Sequence, residues 1–185
     1  MAFNLVREGF DYNARQSVTT SSPTTTEFNV DIPSGDRVTR IEFQCYPSSS
    51  TGTIDPIMDF YDASNNQLRW TGNYRTHRGG STRGHSSSLN NLNSVFLGGF
   101  QIDNSPSYHS NWFIEVTNLS GYNTNVMFRG SYNSTTTGYE TMIYGAVRIG
   151  GANGSVVEVR KVTLSLFGGT AFDVANYISI VGIDL

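Results

Sequence analysis

From Glu27 onward the apolar residues alternate with polar ones or fall in short runs closed by turn residues, a pattern of strands rather than helices. Residues 27–32 read as a first strand, stopped by Pro33-Ser34-Gly35-Asp36. Residues 38–46 follow, with Ile41, Phe43 and Cys45 on one face and Glu42 and Gln44 on the other. Residues 57–61 and 67–71 flank Asp62-Ala63-Ser64-Asn65-Asn66, a hairpin connection built from residues that tolerate left-handed backbone. Residues 72–93, rich in Gly, Ser and Arg, interrupt the pattern and read as a long loop. Strands resume over 95–102, 112–117, 125–131, 143–149, 156–167 and 177–183. Within 156–167, Val157 and Val159 share one parity while Val162, Leu164 and Leu166 share the other, which predicts a bulge or crossing near Arg160-Lys161.

This succession predicts an all-β chain, an antiparallel β-sandwich of jelly-roll-like kind, with residues 27–185 as one domain. Residues 1–26 differ. Phe3, Leu5, Val6 and Phe10 precede a polar run over 16–26 that cannot bury enough surface to order itself. They read either as a frayed terminus or as an extended N-terminal assembly arm whose apolar residues dock on a neighbouring subunit.

Composition strengthens the fold class. Ser, Thr, Asn and Gly make up 77 of the 185 residues, while Ala is only 7 and Leu 9, which excludes a helical bundle or a doubly wound α/β enzyme. The net charge of −3 provides no global attraction to nucleic acid, so nucleic acid is not expected as a partner. No stretch of eighteen apolar residues exists for membrane insertion. The N-terminal residues lack the basic and apolar blocks of a secretory signal, so synthesis in a reducing cytoplasm is expected. Cys45, the sole cysteine, alternates with Ile41 and Phe43 and reads as a core thiol.

Candidate chemistry is thin. There is no G-x-S-x-G elbow, and His77, His85 and His109 lie in polar segments. Asp55, Asp59 and Asp62 border a strand and a turn, where capping explains them without a glycosidase pair. The ligand types fit no zinc pattern, and the Asp62 segment lacks the Gly and closing Glu of a calcium loop. No catalytic residue, metal or cofactor is expected. The sequons at Asn118, Asn133 and Asn153 are accidents of an Asn- and Ser-rich chain.

The most informative stretch runs from Arg69 to His85. It carries Arg69, Arg75, Arg78 and Arg83 with no acid, and Trp70 and Tyr74 lie among them. Arginine beside aromatic rings suits a carboxylate, a phosphate or the face of a sugar, so this basic loop is a candidate contact for a partner protein or an anionic ligand. Trp70, Tyr74, Tyr108 and Trp112, in or beside polar segments, are the candidate glycan contacts.

Two segments, 28–52 and 156–184, carry a resemblance. Ile32-Pro33-Ser34-Gly35 forms an opening turn between strands, and Val162, Gly169, Thr170, Phe172 and Asp173 mark a closing strand, turn and F-D pair. Together they resemble a domain of tailed-bacteriophage virion proteins, often attached to tail fibres. The resemblance implies a non-enzymatic structural protein of the virion, synthesised in the host cytoplasm and displayed as a tail-fibre, collar or capsid-decoration element. It implies other virion proteins as partners, with a homo-oligomer, a trimer favoured. The alternative is a carbohydrate- or receptor-binding module that grips a host surface glycan.

Overall fold

A computed structural model describes residues 11–19, 27–45, 56–78, 81–87, 94–97, 110–133, 140–151, 155–166 and 177–184. Every regular element among them is a strand: β1 Asp11–Thr19, β2 Glu27–Asp31, β3 Asp36–Cys45, β4 Pro56–Tyr61, β5 Arg69–Arg78, β6 Ser81–Ser87, β7 Val95–Phe96, β8 Ser110–Thr117, β9 Thr124–Asn133, β10 Glu140–Gly150, β11 Lys161–Leu166 and β12 Tyr177–Asp184. They form an eight-stranded sheet in the order β1-β12-β3-β8-β9-β10-β5-β6 and a four-stranded sheet in the order β2-β11-β4-β7. All pairings are antiparallel. The chain crosses repeatedly from one sheet to the other, as a jelly-roll-like sandwich does, whereas β8, β9 and β10 run as a meander of adjacent strands.

One apolar core lies between the sheets. Phe28, Val30, Met58, Phe60, Val162 and Leu164 come from the small sheet and meet Ile41, Phe43, Ile114, Val126, Phe128 and Ile149 from the large one. Phe28 and Phe43 bridge the two edge to face, with ring centroids 5.9 Å apart. Alternation sets this arrangement: on β2 and β4 every second residue is buried, and burial of one face leaves no freedom for the register to slip.

The parity change near Arg160 is a crossing between sheets. Residues 155–160 lie outside any ladder, and Val159 is held by side chains instead. Asn118 Nδ2 donates to the Val159 carbonyl at 3.0 Å, and Asn118 Oδ1 accepts the Val159 amide at 3.1 Å. The Thr124 hydroxyl sits 2.5 Å from Asn118 Oδ1. A buried asparagine thus supplies the partners that a neighbouring strand would otherwise provide. Asn118 is itself buried and fully engaged, so its sequon is no site for a glycan. At Arg160 the chain enters the small sheet: its amide donates to the Tyr61 carbonyl and its carbonyl accepts from Ile32, both at 2.8 Å.

Two sequence expectations change. The stretch read as a loop over 72–93 is in large part the β5–β6 hairpin, with Arg78 opposite Ser81 and Gly72 opposite Ser87. The intervening Gly79-Gly80 is a dipeptide suited to a two-residue hairpin connection. The polar run was misleading because an outer strand needs only backbone partners and no alternating apolar face. Residues 11–19, assigned to the N-terminal arm, pair as β1 with β12 of the same chain, from Asp11 opposite Asp184 to Thr19 opposite Tyr177. Phe3, Leu5, Val6 and Phe10 lie outside the described residues.

The Asp62 turn is as expected in its chemistry. Asp62 Oδ1 accepts the amides of Ser64 and Asn66, each at 2.8 Å, and Asn65 takes a positive φ of 61°. The Asn66 side chain, which donates to Asp62 Oδ2 at 2.9 Å, and these two amides hold the Asp62 carboxyl below its ordinary value. The strand after the turn does not complete a hairpin. After a single bridge between Tyr61 and Gln67, β5 leaves for the large sheet and pairs with β10.

A candidate contact face on the large sheet

The residues singled out from sequence do not converge on one site. Trp70 and Trp112 are 5% and 3% exposed and belong to the core, which corrects their assignment as glycan contacts. The signal was present in the sequence, since Trp112 shares parity with Ile114 and Val116. Arg69 is half-buried at the start of β5, opposite Gly150. Tyr74, Arg75 and Arg78 occupy β5 and Arg83 lies on β6, placed by backbone register alone. Arg69 and Arg75 fall on strand positions of one parity, whereas Arg78 and the residue opposite Arg83, Thr76, fall on the other. By backbone register the basic stretch is therefore spread along the β5–β6 hairpin rather than gathered in one loop. Tyr108 lies outside the described residues.

What the topology does bring together is the outward face of β3, β8, β9 and β10. Their inward positions carry Phe43, Trp112, Gly130 and Ile143, and the outward positions between them are not all polar. In register, Glu42 stands opposite Phe113, Phe113 opposite Arg129, and Arg129 opposite Tyr144. Continuing the same line, Tyr144 faces Arg75 of β5. One row across five strands therefore reads acid, aromatic, base, aromatic, base. The Arg129 guanidinium carbon lies 5.1 Å from the centre of the Phe113 ring, a cation–π stack. Tyr144 is 46% exposed, and Met142 and Met127 beside the row are 59% and 54% exposed.

A shallow groove of about 640 Å³ runs along this face, lined in part by Gln44, Asn111, Phe113, Arg129, Ser131 and Tyr144. Its floor is close-packed. A β-carbon on Gly130 would come within 2.1 Å of Trp112 Cε3 and 2.5 Å of the Asn111 carbonyl oxygen, so only glycine lets β9 lie against the indole. The Trp112 Nε1 beneath is buried with no hydrogen-bond partner among the described residues.

The outer face of the small sheet differs. Thr163 donates to Asn29 Oδ1 at 2.9 Å, and Gln67 Nε2 donates to Asp59 Oδ1 at 2.9 Å. Burial pushes the Asp59 carboxyl above its ordinary value, an effect only partly opposed by hydrogen bonds from Ser94 and Gln67. Lys161 lies over the Tyr61 ring at 4.3 Å and bonds Asn65. Among the described residues no group of three His, Cys, Asp or Glu side chains is placed to hold a metal ion, and no helix is long and apolar enough to cross a membrane.

The described residues form an all-β sandwich. No protein-family model matches it, and neither a curated protein nor a solved structure shows significant similarity. The resemblance of 28–52 and 156–184 to phage virion domains rests on those residues alone.

Proposed function

We propose that the protein is a non-enzymatic structural protein of a bacteriophage virion, an oligomeric β-sandwich that works through surface contact with other virion proteins. The observation that carries this reading is the physical union of the two segments bearing the resemblance. β2 and β3 from the first segment pair with β11 and β12 from the second. Arg160 of the second donates to the Pro33 carbonyl at 2.8 Å and bonds Glu158, which clamps the Ile32-Pro33-Ser34-Gly35 turn of the first. Gly35 in that turn has a φ of 109°, a conformation that explains glycine at the position. The shared segments thus form one frame, and the strands between them are free to carry a protein-specific surface.

Light scattering on the full chain, together with the identity of the neighbouring open reading frames, tests the proposal. The expected result is a discrete oligomer that loses mass when residues 2–10 are removed, flanked in the genome by capsid or tail genes. A strict monomer with no virion genes beside it overturns the reading. The glycan-binding alternative loses Trp70 and Trp112 to the core, but the groove on the large sheet offers it a different location.

A further inference from the structure

We infer that the groove across β3, β8, β9 and β10 binds an extended oligosaccharide bearing carboxylates, with Arg129 as the anion-binding group and Tyr144 as the platform for a sugar ring. The inference does not depend on the virion reading.

Three features of the groove select this ligand. The first is the state of Arg129. Its guanidinium rests on Phe113 and has no carboxylate partner among the described residues, while the nearby Arg40 is already paired with Glu115 at 2.9 Å. A stacked guanidinium is held in place before a ligand arrives, and its planar donors match a carboxylate bidentately. The second is the distribution of polar groups. Gln44, Asn111 and Ser131 line the groove, and their side chains make no hydrogen bond to any described residue. Each offers donors and acceptors of the kind that separate sugar hydroxyls require. The third is spacing. Phe113 and Tyr144 both stand opposite Arg129, on strands two apart, so their backbones are separated by about 10 Å across the sheet. A chain of rings lying across the strands meets the stacked cation and then the Tyr144 ring.

An acidic peptide is the competing ligand and fits less well. β3, β8, β9 and β10 each have a hydrogen-bonded neighbour on both sides, so a peptide lying on this face finds no free ladder for its own amides and carbonyls. A sugar has no such backbone to satisfy.

The full-length protein applied to an array of acidic oligosaccharides, neutral oligosaccharides of equal length and acidic peptides tests the inference. Retention of acidic oligosaccharides over the neutral set is expected. Arg129→Gln and Tyr144→Ala are each expected to weaken it by about tenfold or more, with the melting temperature unchanged. Arg148→Gln removes the same charge from the outward face of β10 away from the groove and is expected to leave binding intact. Retention of no acidic oligosaccharide, preference for the peptides, or equal losses in Arg129→Gln and Arg148→Gln would overturn the assignment. A monomer with no virion genes beside it that binds acidic glycans overturns the virion proposal alone, and an oligomer that binds none overturns this one alone.

Discussion

On the outer face of the four-stranded sheet, Thr163 is bonded to Asn29, Asn29 to Glu27 and Gln67 to Asp59, so polar side chains there satisfy one another. On the outer face of the eight-stranded sheet, Glu42, Gln44, Asn111 and Ser131 stand around a stacked arginine without such partners among the described residues, beside two exposed methionines. Both faces belong to antiparallel sheets over the same core, but Thr163 on the small sheet's outer face is buried, whereas Arg129 and Tyr144 on the large sheet's outer face are exposed. The contrast teaches that, among the described residues, polar side chains on the small sheet's outer face pair within the chain, whereas those on the large sheet's outer face stay available to a ligand. Large apolar side chains gathered on an exposed sheet face are the usual mark of such a surface.

The largest expected effect erases the distinction between face and core. Gly130→Ala places a methyl group against the Trp112 indole and the backbone of Asn111, and β9 must move away from β8. A loss of about 3 kcal/mol is expected in denaturant unfolding, and with it the groove that Arg129 and Ser131 help to line. Normal stability in this variant would show that the floor of the groove yields.

A smaller effect separates the faces directly. Asn29→Ala removes the acceptor of the Thr163 hydroxyl and is expected to cost about 1 kcal/mol. Arg129→Gln on the other sheet is expected to change stability by less than about 0.5 kcal/mol, because its guanidinium is exposed and unpaired in any ion pair among the described residues. Thermal melts of the two variants side by side give the comparison, and equal losses would remove it.

The smallest effect is in pH dependence. Because burial raises the Asp59 carboxyl above its ordinary 3.8, the folded chain holds this proton at pH values where the unfolded chain has released it. Its contribution therefore favours folding at low pH and is lost as pH rises from 3.8 through the raised native value. Asp59→Asn is expected to flatten that decline in a series of melts across the acidic range. An unchanged slope would assign the decline to other carboxylates.

Much of this architecture was legible along the chain, for reasons particular to each element. β3, β8 and β10 announce themselves because one face of each is buried, so Ile41 and Phe43, Ile114 and Val116, and Val147 and Ile149 recur at period two. The crossing at Arg160 was visible as a change of parity. β6 was not visible, because its composition is that of a loop and its pairing with β5 is made by the backbone. The groove was hidden for a different reason. Phe113, Arg129 and Tyr144 are about equally spaced in the chain, yet nothing in that spacing reveals that they share one row until the register of two successive strand pairs is known. Aromatic residues beside polar segments drew attention to Trp70 and Trp112 instead, whose rings complete the core.

The pairing of β1 with β12 has a consequence for the time course of folding. Asp11 lies opposite Asp184, and β12 also supplies the other neighbour of β3, so the end of the large sheet is assembled from residues at opposite extremes of the chain. The meander β8–β9–β10 needs only local loop closure and is available to form early. The flank formed by β1, β12 and β3 must wait until residues 177–184 have left the ribosome. Until then β3 lacks its β12 neighbour, and closing that pairing joins residues far apart in sequence, a slower kind of contact than the meander's.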